Sequence, residues 1–224
     1  MHSRDNQAMT PGPDEDGEAA ARGRMVAEQI AARGVRDPAV LSAMREVPRH
    51  LFVPEALRAE AYADHPLLIG HGQTISQPYI VALMTELARP TPSARALEVG
   101  SGSGYQTAVL SRVVGHVFSV EINEDLSRQA AERLARLGYA NVTLAHADGH
   151  AGWVSEAPFD IVVVTAAPVD VPQALVDQLA EGGRLVIPVG SLYAQDLLVI
   201  EKEAGGRTRT DTVAPVVFVP MVRE

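Results

Sequence analysis

The sequence predicts an α/β fold: a doubly wound, mostly parallel sheet of about seven strands with helices on both faces, preceded by a helical addition. Three observations predict it. From residue 79 onward, short apolar runs rich in Val, Ile and Leu alternate with helical patterns. Those runs are continuous rather than alternating, as in parallel strands covered on both faces. Between the first such run and the next helix, Gly100, Gly102 and Gly104 stand at alternate positions, where a tight turn lets backbone approach a ligand.

The elements follow in order. Residues 1–24 are small and polar, with Pro11, Gly12, Pro13 and the acids Asp14, Glu15 and Asp16. Such a stretch buries too little apolar surface to offset its ordering entropy, so it reads as a flexible tail. Residues 25–224 read as one domain, divided into a helical region with a loop (25–78) and a ligand-binding core (79–224). In 25–60 the apolar positions are Met25, Ile30, Val40, Leu41 and Met44, and Asp37-Pro38 looks like a helix cap with proline in the first turn. Residues 63–78, rich in Pro, Gly and His, read as loop. A helix over 79–87 stops at Arg89-Pro90-Thr91-Pro92. Strands are expected at 94–99, 116–120, 142–147, 161–164 and 184–189. Helices are expected at 106–114, 126–137 and 172–179, the last ended by Gly182-Gly183. Residues 197–203 and 213–222, joined through Gly205-Gly206, suggest a closing antiparallel pair. The whole is Rossmann-like.

Composition narrows the chemistry. The 224 residues carry a net charge of −9, which argues against a nucleic-acid backbone as partner. There is no cysteine, hence no disulfide, no thiolate zinc site and no cysteine nucleophile. His65, His71, His116, His146 and His150 lack ligand spacing, so no metal is expected. No apolar leader opens the chain, and the run over 161–169 is far too short for a membrane span, so a cytoplasmic protein is expected.

In a doubly wound sheet the ligand lies at the carboxyl ends of the strands. The turn after the first core strand departs from the dinucleotide pattern G-x-G-x-x-G, because Tyr105 stands where the third glycine belongs. Glu98, two residues before Gly100, would repel a pyrophosphate and suit a cationic ligand such as S-adenosyl-L-methionine. The turn, with Ser101 among its glycines, resembles the first motif of class I methyltransferases. Glu121 follows the second strand, placed to accept from two ribose hydroxyls, in a nucleoside of either kind. Asp148-Gly149 follows the third, suited to an adenine amino group and equally to a plain turn. After the fourth strand, Thr165-Ala166-Ala167-Pro168 lacks the Asn/Asp-Pro-Pro-aromatic pattern that orients a nitrogen nucleophile. The loop Gly70-His71-Gly72-Gln73-Thr74-Ile75-Ser76-Gln77-Pro78 concentrates hydroxyls and amides that could close over the ligand.

Several segments together resemble the protein-L-isoaspartate O-methyltransferase family, in its bacterial form. They are Thr74-Ile75-Ser76-Gln77-Pro78, the turn from Glu98 to Gly104, Asp148-Gly149, the segment from Gly182 to Gly190, Val47-Pro48-Arg49-His50-Leu51-Phe52-Val53-Pro54, and Phe218-Val219-Pro220. The likeness runs over about 25–222. It implies methyl transfer from S-adenosyl-L-methionine, with S-adenosyl-L-homocysteine as product, to the free α-carboxylate of L-isoaspartyl residues in damaged proteins and peptides. The ester then collapses to a succinimide. The family's active-site serine falls on Ser76. Its cofactor contacts fall on Gln73, Thr74, Ile75 and Ser76, on Glu98, Gly100, Ser101, Gly102 and Gly104, and on Glu121, Asp148 and Gly149. The chain's last residues, at Val222, are where it departs from the family's terminal adenosine contacts. A monomer without nucleic-acid or membrane partners is expected. Asp16-Gly17, in the presumed tail, is an isomerisation site that the enzyme itself would recognise.

The alternatives are a class I methyltransferase for a small-molecule carboxylate or hydroxyl, an idle cofactor-binding module, and an NAD-dependent oxidoreductase. The loop from Thr74 to Pro78 counts against the first. The intact set Ser76, Glu98, Glu121 and Asp148 counts against the second. Tyr105 and Glu98 count against the third.

Overall fold

The computed structural model describes residues 13–223. Five consecutive strands lie parallel: β3 (Arg95–Val99), β4 (His116–Glu121), β5 (Val142–His146), β6 (Phe159–Val164) and β7 (Leu179–Gly190). Antiparallel β8 (Gln195–Lys202) and β9 (Thr208–Val216) complete a seven-stranded sheet of order β5-β4-β3-β6-β7-β8-β9. The chain winds outward from β3 to β5, then returns to β6 on the other side of β3. That reversal places the ligand crevice at the carboxyl ends of β3 and β6.

The parallel strands form because their residues are apolar on both faces. In β3, Ala96 packs with Ile30, Met44, Val109 and Leu110 on one side, while Leu97 and Val99 pack with Phe159, Leu175 and Ile187 on the other. Glu98 shares the face of Ala96, which puts a carboxylate inside the first of these cores.

Helix α2 (Pro38–Glu46) begins as expected: the Asp37 carboxylate accepts from Ala39 N at 2.8 Å and Val40 N at 3.1 Å. The Glu86 carboxylate, near the end of α3 (Pro78–Leu87), accepts from Arg36 N and Asp37 N, both at 2.6 Å, and ties the helical addition to the core. Helix α4 (Tyr105–Ser111) follows the glycine turn, and Asn123 caps α5 (Glu124–Arg136) by accepting from Leu126 N.

Four expectations are corrected. Residues 13–24 are not a tail but helix α1 (Pro13–Arg24), which runs without a break into the buried π-turn Met25–Ile30. Arg22 fastens it, donating to the Arg45 carbonyl and, at 3.2 Å, to the Tyr62 hydroxyl. Residues 1–12 lie outside the described residues, and Asp16-Gly17 falls in helical backbone, which removes the premise for its isomerisation. The expected loop over 63–78 contains a hairpin of β1 (Leu67–Gly70) and β2 (Gln73–Ile75), with Leu67 opposite Ile75. Helix α6 (Gln173–Asp177) ends well before Gly182-Gly183, which lie inside β7 where the pairing with β6 shifts register. The final pair closes at Val216 rather than running to 222. Residues 219–221 instead bind alongside Ala167, through Ala167 N to Val219 O and Met221 N to Ala167 O, each 2.8 Å.

Among the described residues, no helix is long and apolar enough to cross a membrane.

Candidate active site

The crevice holds a cleft that is partly open to solvent. Its walls come from four places: Gln73 to Ser76 on the hairpin, the turn Gly100 to Ser103, Glu121 and Ile122 after β4, and residues 219–222. Gly149, Thr165 and Ala166 complete it. A second, larger opening shares Thr74, Ser76, Thr165 and Val219 with the first. Ser76 thus stands where the two meet.

The turn is built for close approach. Gly100 has φ +96°, and a Cβ there would stand 2.4 Å from the Thr165 hydroxyl oxygen. That hydroxyl donates to the Gly100 carbonyl at 2.6 Å, locking β6 to the turn. Four of the turn's backbone donors are already engaged. Gly100 N donates to Val120 O, Gly104 N to Ser101 O, Tyr105 N to Ser103 Oγ and Gly102 N to Glu121 Oε2. These bonds leave fewer N–H groups for a phosphate than an open glycine turn would offer.

Glu121 is the only charged residue lining the cleft among those described. Its Oε2 accepts from Gly102 N at 2.9 Å and its Oε1 from Asn123 N at 3.0 Å. Both bonds orient the carboxylate, and each oxygen keeps a lone pair for a ribose hydroxyl. Gly149 lies against Val99: a Cβ would come within 2.3 Å of Val99 Cγ1, so any larger residue would push into the cleft wall.

Three expected contacts are not in the cleft walls. Glu98 is fully buried beneath the turn, accepting from Ser119 Oγ at 2.6 Å and from Thr107 Oγ1, with its other oxygen unpartnered. Burial pushes its carboxyl up to about 8, against the two hydroxyl bonds that favour ionisation and with the Glu121 charge adding to the rise. Glu98 is therefore mostly neutral at pH 7 and supports the turn through the chain Glu98–Ser119–Ser101, whose last link is 2.6 Å. Gly104 packs against Leu134 of α5 and faces away from the cleft. Asp148 caps a short 3₁₀ turn by accepting from His150 N at 2.9 Å and lies 3.0 Å from His150 Nδ1. These hydrogen bonds hold its carboxyl below the usual range, against the opposing pull of its partial burial. Of that dipeptide only Gly149 reaches the cleft.

The structure also brings to the wall residues to which the sequence analysis gave no cofactor contact: Thr165, shared by both openings, Gln106, Tyr105 and the segment 219–222. Val222, expected to depart from a terminal cofactor contact, lines the cleft.

A nucleoside carrying a cation fits this site: one acid, Glu121, and otherwise uncharged walls of polar and apolar side chains. Comparison with known proteins agrees. The model of the protein-L-isoaspartate(D-aspartate) O-methyltransferase family matches residues 20–224. The chain belongs to that family. Curated relatives include the protein-L-isoaspartate O-methyltransferase of Opitutus terrae, 53% identical over 203 residues covering 91% of this chain and 87% of the relative. That of a Picosynechococcus species is 54% identical over 202 residues, 90% of each chain. A solved protein-L-isoaspartate O-methyltransferase superposes with TM-score 0.80 at 31% identity, covering 89% of this chain and 65% of its own. A Plasmodium falciparum chain assigned to the same activity, solved with S-adenosyl-L-homocysteine, gives TM-score 0.76 at 28% identity, covering 92% of this chain and 99% of its own.

Proposed function

We propose that the chain repairs damaged proteins, transferring a methyl group from S-adenosyl-L-methionine to the free α-carboxylate of L-isoaspartyl residues, with Ser76 holding that carboxylate. The observation that carries the reading is the meeting of two openings at Ser76. The first carries the glycine turn and Glu121, which suit a nucleoside cofactor; the second is roomier, with space for a segment of polypeptide. A small-molecule acid has no need of the second.

A carboxylate has an ordinary pKa near 4 and is ionised at neutral pH, so no general base is required. S-adenosyl-L-methionine supplies an activated methyl group on a sulfonium. The carboxylate oxygen forms a bond to the methyl carbon as the carbon–sulfur bond breaks, giving the methyl ester and S-adenosyl-L-homocysteine. What remains for the protein is alignment, which can contribute about 7–11 kcal/mol. The neutral Ser76 hydroxyl donates to one carboxylate oxygen and leaves the other to attack. A cation in its place would bind more tightly and blunt the nucleophile. Gln73, Thr74 and Ile75 close over the cofactor, Glu121 takes the ribose, and Gly100, Ser101, Gly102 and Gly149 give it room. Glu98, Gly104 and Asp148 hold that frame from outside.

The same reading has the enzyme act as a monomer in the cytoplasm without nucleic acid. Its net charge of −9 supports this, as do Arg209, Asp211 and Pro215, which discourage pairing along the edge strand β9. Two peptides identical but for L-isoaspartate or L-aspartate, incubated with methyl-labelled S-adenosyl-L-methionine, test the function. Base-labile label on the isoaspartyl peptide alone is expected. Equal labelling of both, or of neither, overturns the reading.

A further inference from the structure

The larger opening is lined by Pro66, Tyr79, Ile80, Leu83 and the stretch Ala214 to Val219, all uncharged, together with Arg33. Arg33 is the only cation among its described lining residues. It is also held in place. Its guanidinium carbon sits 3.6 Å from the centroid of the Tyr79 ring, and Nη1 donates to Asp64 Oδ2 at 2.9 Å. Asp64 is the only protein acceptor recorded for Arg33 among the described residues, and it engages Nη1 alone. Nε and Nη2 remain for a further acceptor.

Tyr79 follows Ser76 by three residues, at the first turn of α3. The stacked guanidinium therefore stands on the same wall as the hydroxyl that is read as meeting the isoaspartyl carboxylate. Both line one opening, and an extended peptide advances about 3.3 Å per residue, so the side chains that meet Arg33 belong to near neighbours of the damaged residue.

We propose that Arg33 is a specificity determinant: it selects isoaspartyl sites that have an acidic side chain about one to three residues away, and disfavours those with a basic one there. This rests on the function proposed above and adds to it which damaged sites are preferred. The remaining wall, which includes Thr74, Ser76, Gln77 and Thr165, is uncharged, so the discrimination is local to Arg33. It opposes the long-range field of a chain with net charge −9, which by itself would repel acidic peptides. Arg33 and Asp64 are both substantially exposed, so the effect belongs to the range of surface ion pairs, about a two- to fivefold preference.

The test is a set of isoaspartyl peptides with Glu, Gln or Lys placed at each of three positions on either side of the isoaspartate. The unmodified enzyme should rank kcat/KM as Glu above Gln above Lys at one or more of these positions, with the spread shrinking at high salt. Arg33→Gln should bring the Glu-to-Lys ratio towards one, and Arg33→Glu should invert it. Asp64→Asn, which removes the competing internal carboxylate, should widen it. S-adenosyl-L-homocysteine binding by calorimetry checks that each variant is folded, since neither residue lines the cofactor cleft. No ranking in the unmodified enzyme, a ranking unchanged in Arg33→Gln, or a ratio narrowed by Asp64→Asn overturns the proposal while leaving the methyltransferase reading intact. Failure to methylate any isoaspartyl peptide overturns both.

Discussion

Glu98→Gln isolates the buried carboxyl beneath the turn. Glu98 titrates near 4.5 in the unfolded chain and at about 8 in the fold, because burial disfavours its charge. The folded state therefore holds a proton that the unfolded state has lost between those two values. Stability tied to this group is fully present below about pH 4.5 and is lost as pH rises through about 8. Each pH unit in the window removes about 1.4 kcal/mol, so the full loss reaches roughly 5 kcal/mol. Gln cannot ionise, and its carbonyl can still accept from Ser119 and Thr107. Its amide nitrogen occupies the position now without a partner, which sets a constant offset but no slope. Urea denaturation of both proteins from pH 5 to pH 9 reads the difference. The variant should gain on the unmodified protein by about 1.4 kcal/mol per pH unit up to about pH 8, then hold level. A difference that stays flat throughout would mean that Glu98 is ionised in the fold, and the account of its role would be wrong.

Three further outcomes are expected. Ser76→Ala should lower kcat about 10- to 100-fold, the worth of one positioning hydrogen bond, while most S-adenosyl-L-homocysteine affinity survives; unchanged turnover removes Ser76 from the mechanism. Gly149→Ala, whose Cβ would meet Val99 Cγ1 at 2.3 Å, should weaken cofactor binding at least about tenfold by overpacking the wall, and calorimetry giving an unaltered affinity would contradict that geometry. Asp37→Ala should destabilise the fold by about 1 kcal/mol through loss of two capping bonds, with cofactor affinity unmoved; a variant as stable as the original in urea would deny the cap any energetic role.

The parallel strands were legible because each carries a short, mainly apolar run, and the β-branched Ile161 to Val164 is the plainest. Gly100, Glu121 and Gly149 could be placed at the crevice from strand ends, and Ser76 only from the resemblance to the family; all four line the cleft. Helix α1 was not. Its own residues are polar, and what orders it is distant: Arg22 reaching Arg45 and Tyr62. The β1–β2 hairpin hid behind Pro, Gly and His, since strands of three or four residues leave no periodicity to read. Glu98 misled because its distance from Gly100 was read without its direction. Strand alternation puts it on the face of Ala96, and its lateral partner in β4 is Ser119, a hydroxyl in an otherwise apolar run. Those two facts together were the available signal. Thr165 also carried one, as a hydroxyl closing a β-branched strand just where the crevice opens.

The cleft draws its walls from segments far apart in the chain, Gln73 to Ser76 on one side and residues 219–222 on the other. Contacts so far apart in sequence carry a high loop-closure cost and tend to form late in folding. A copy with its sheet assembled but its last crossing over Ala167 unmade has an incomplete pocket and weak grip on the cofactor. Occupancy by S-adenosyl-L-homocysteine is then a readout of finished folding, and an enzyme that mends other chains begins work only once its own is complete.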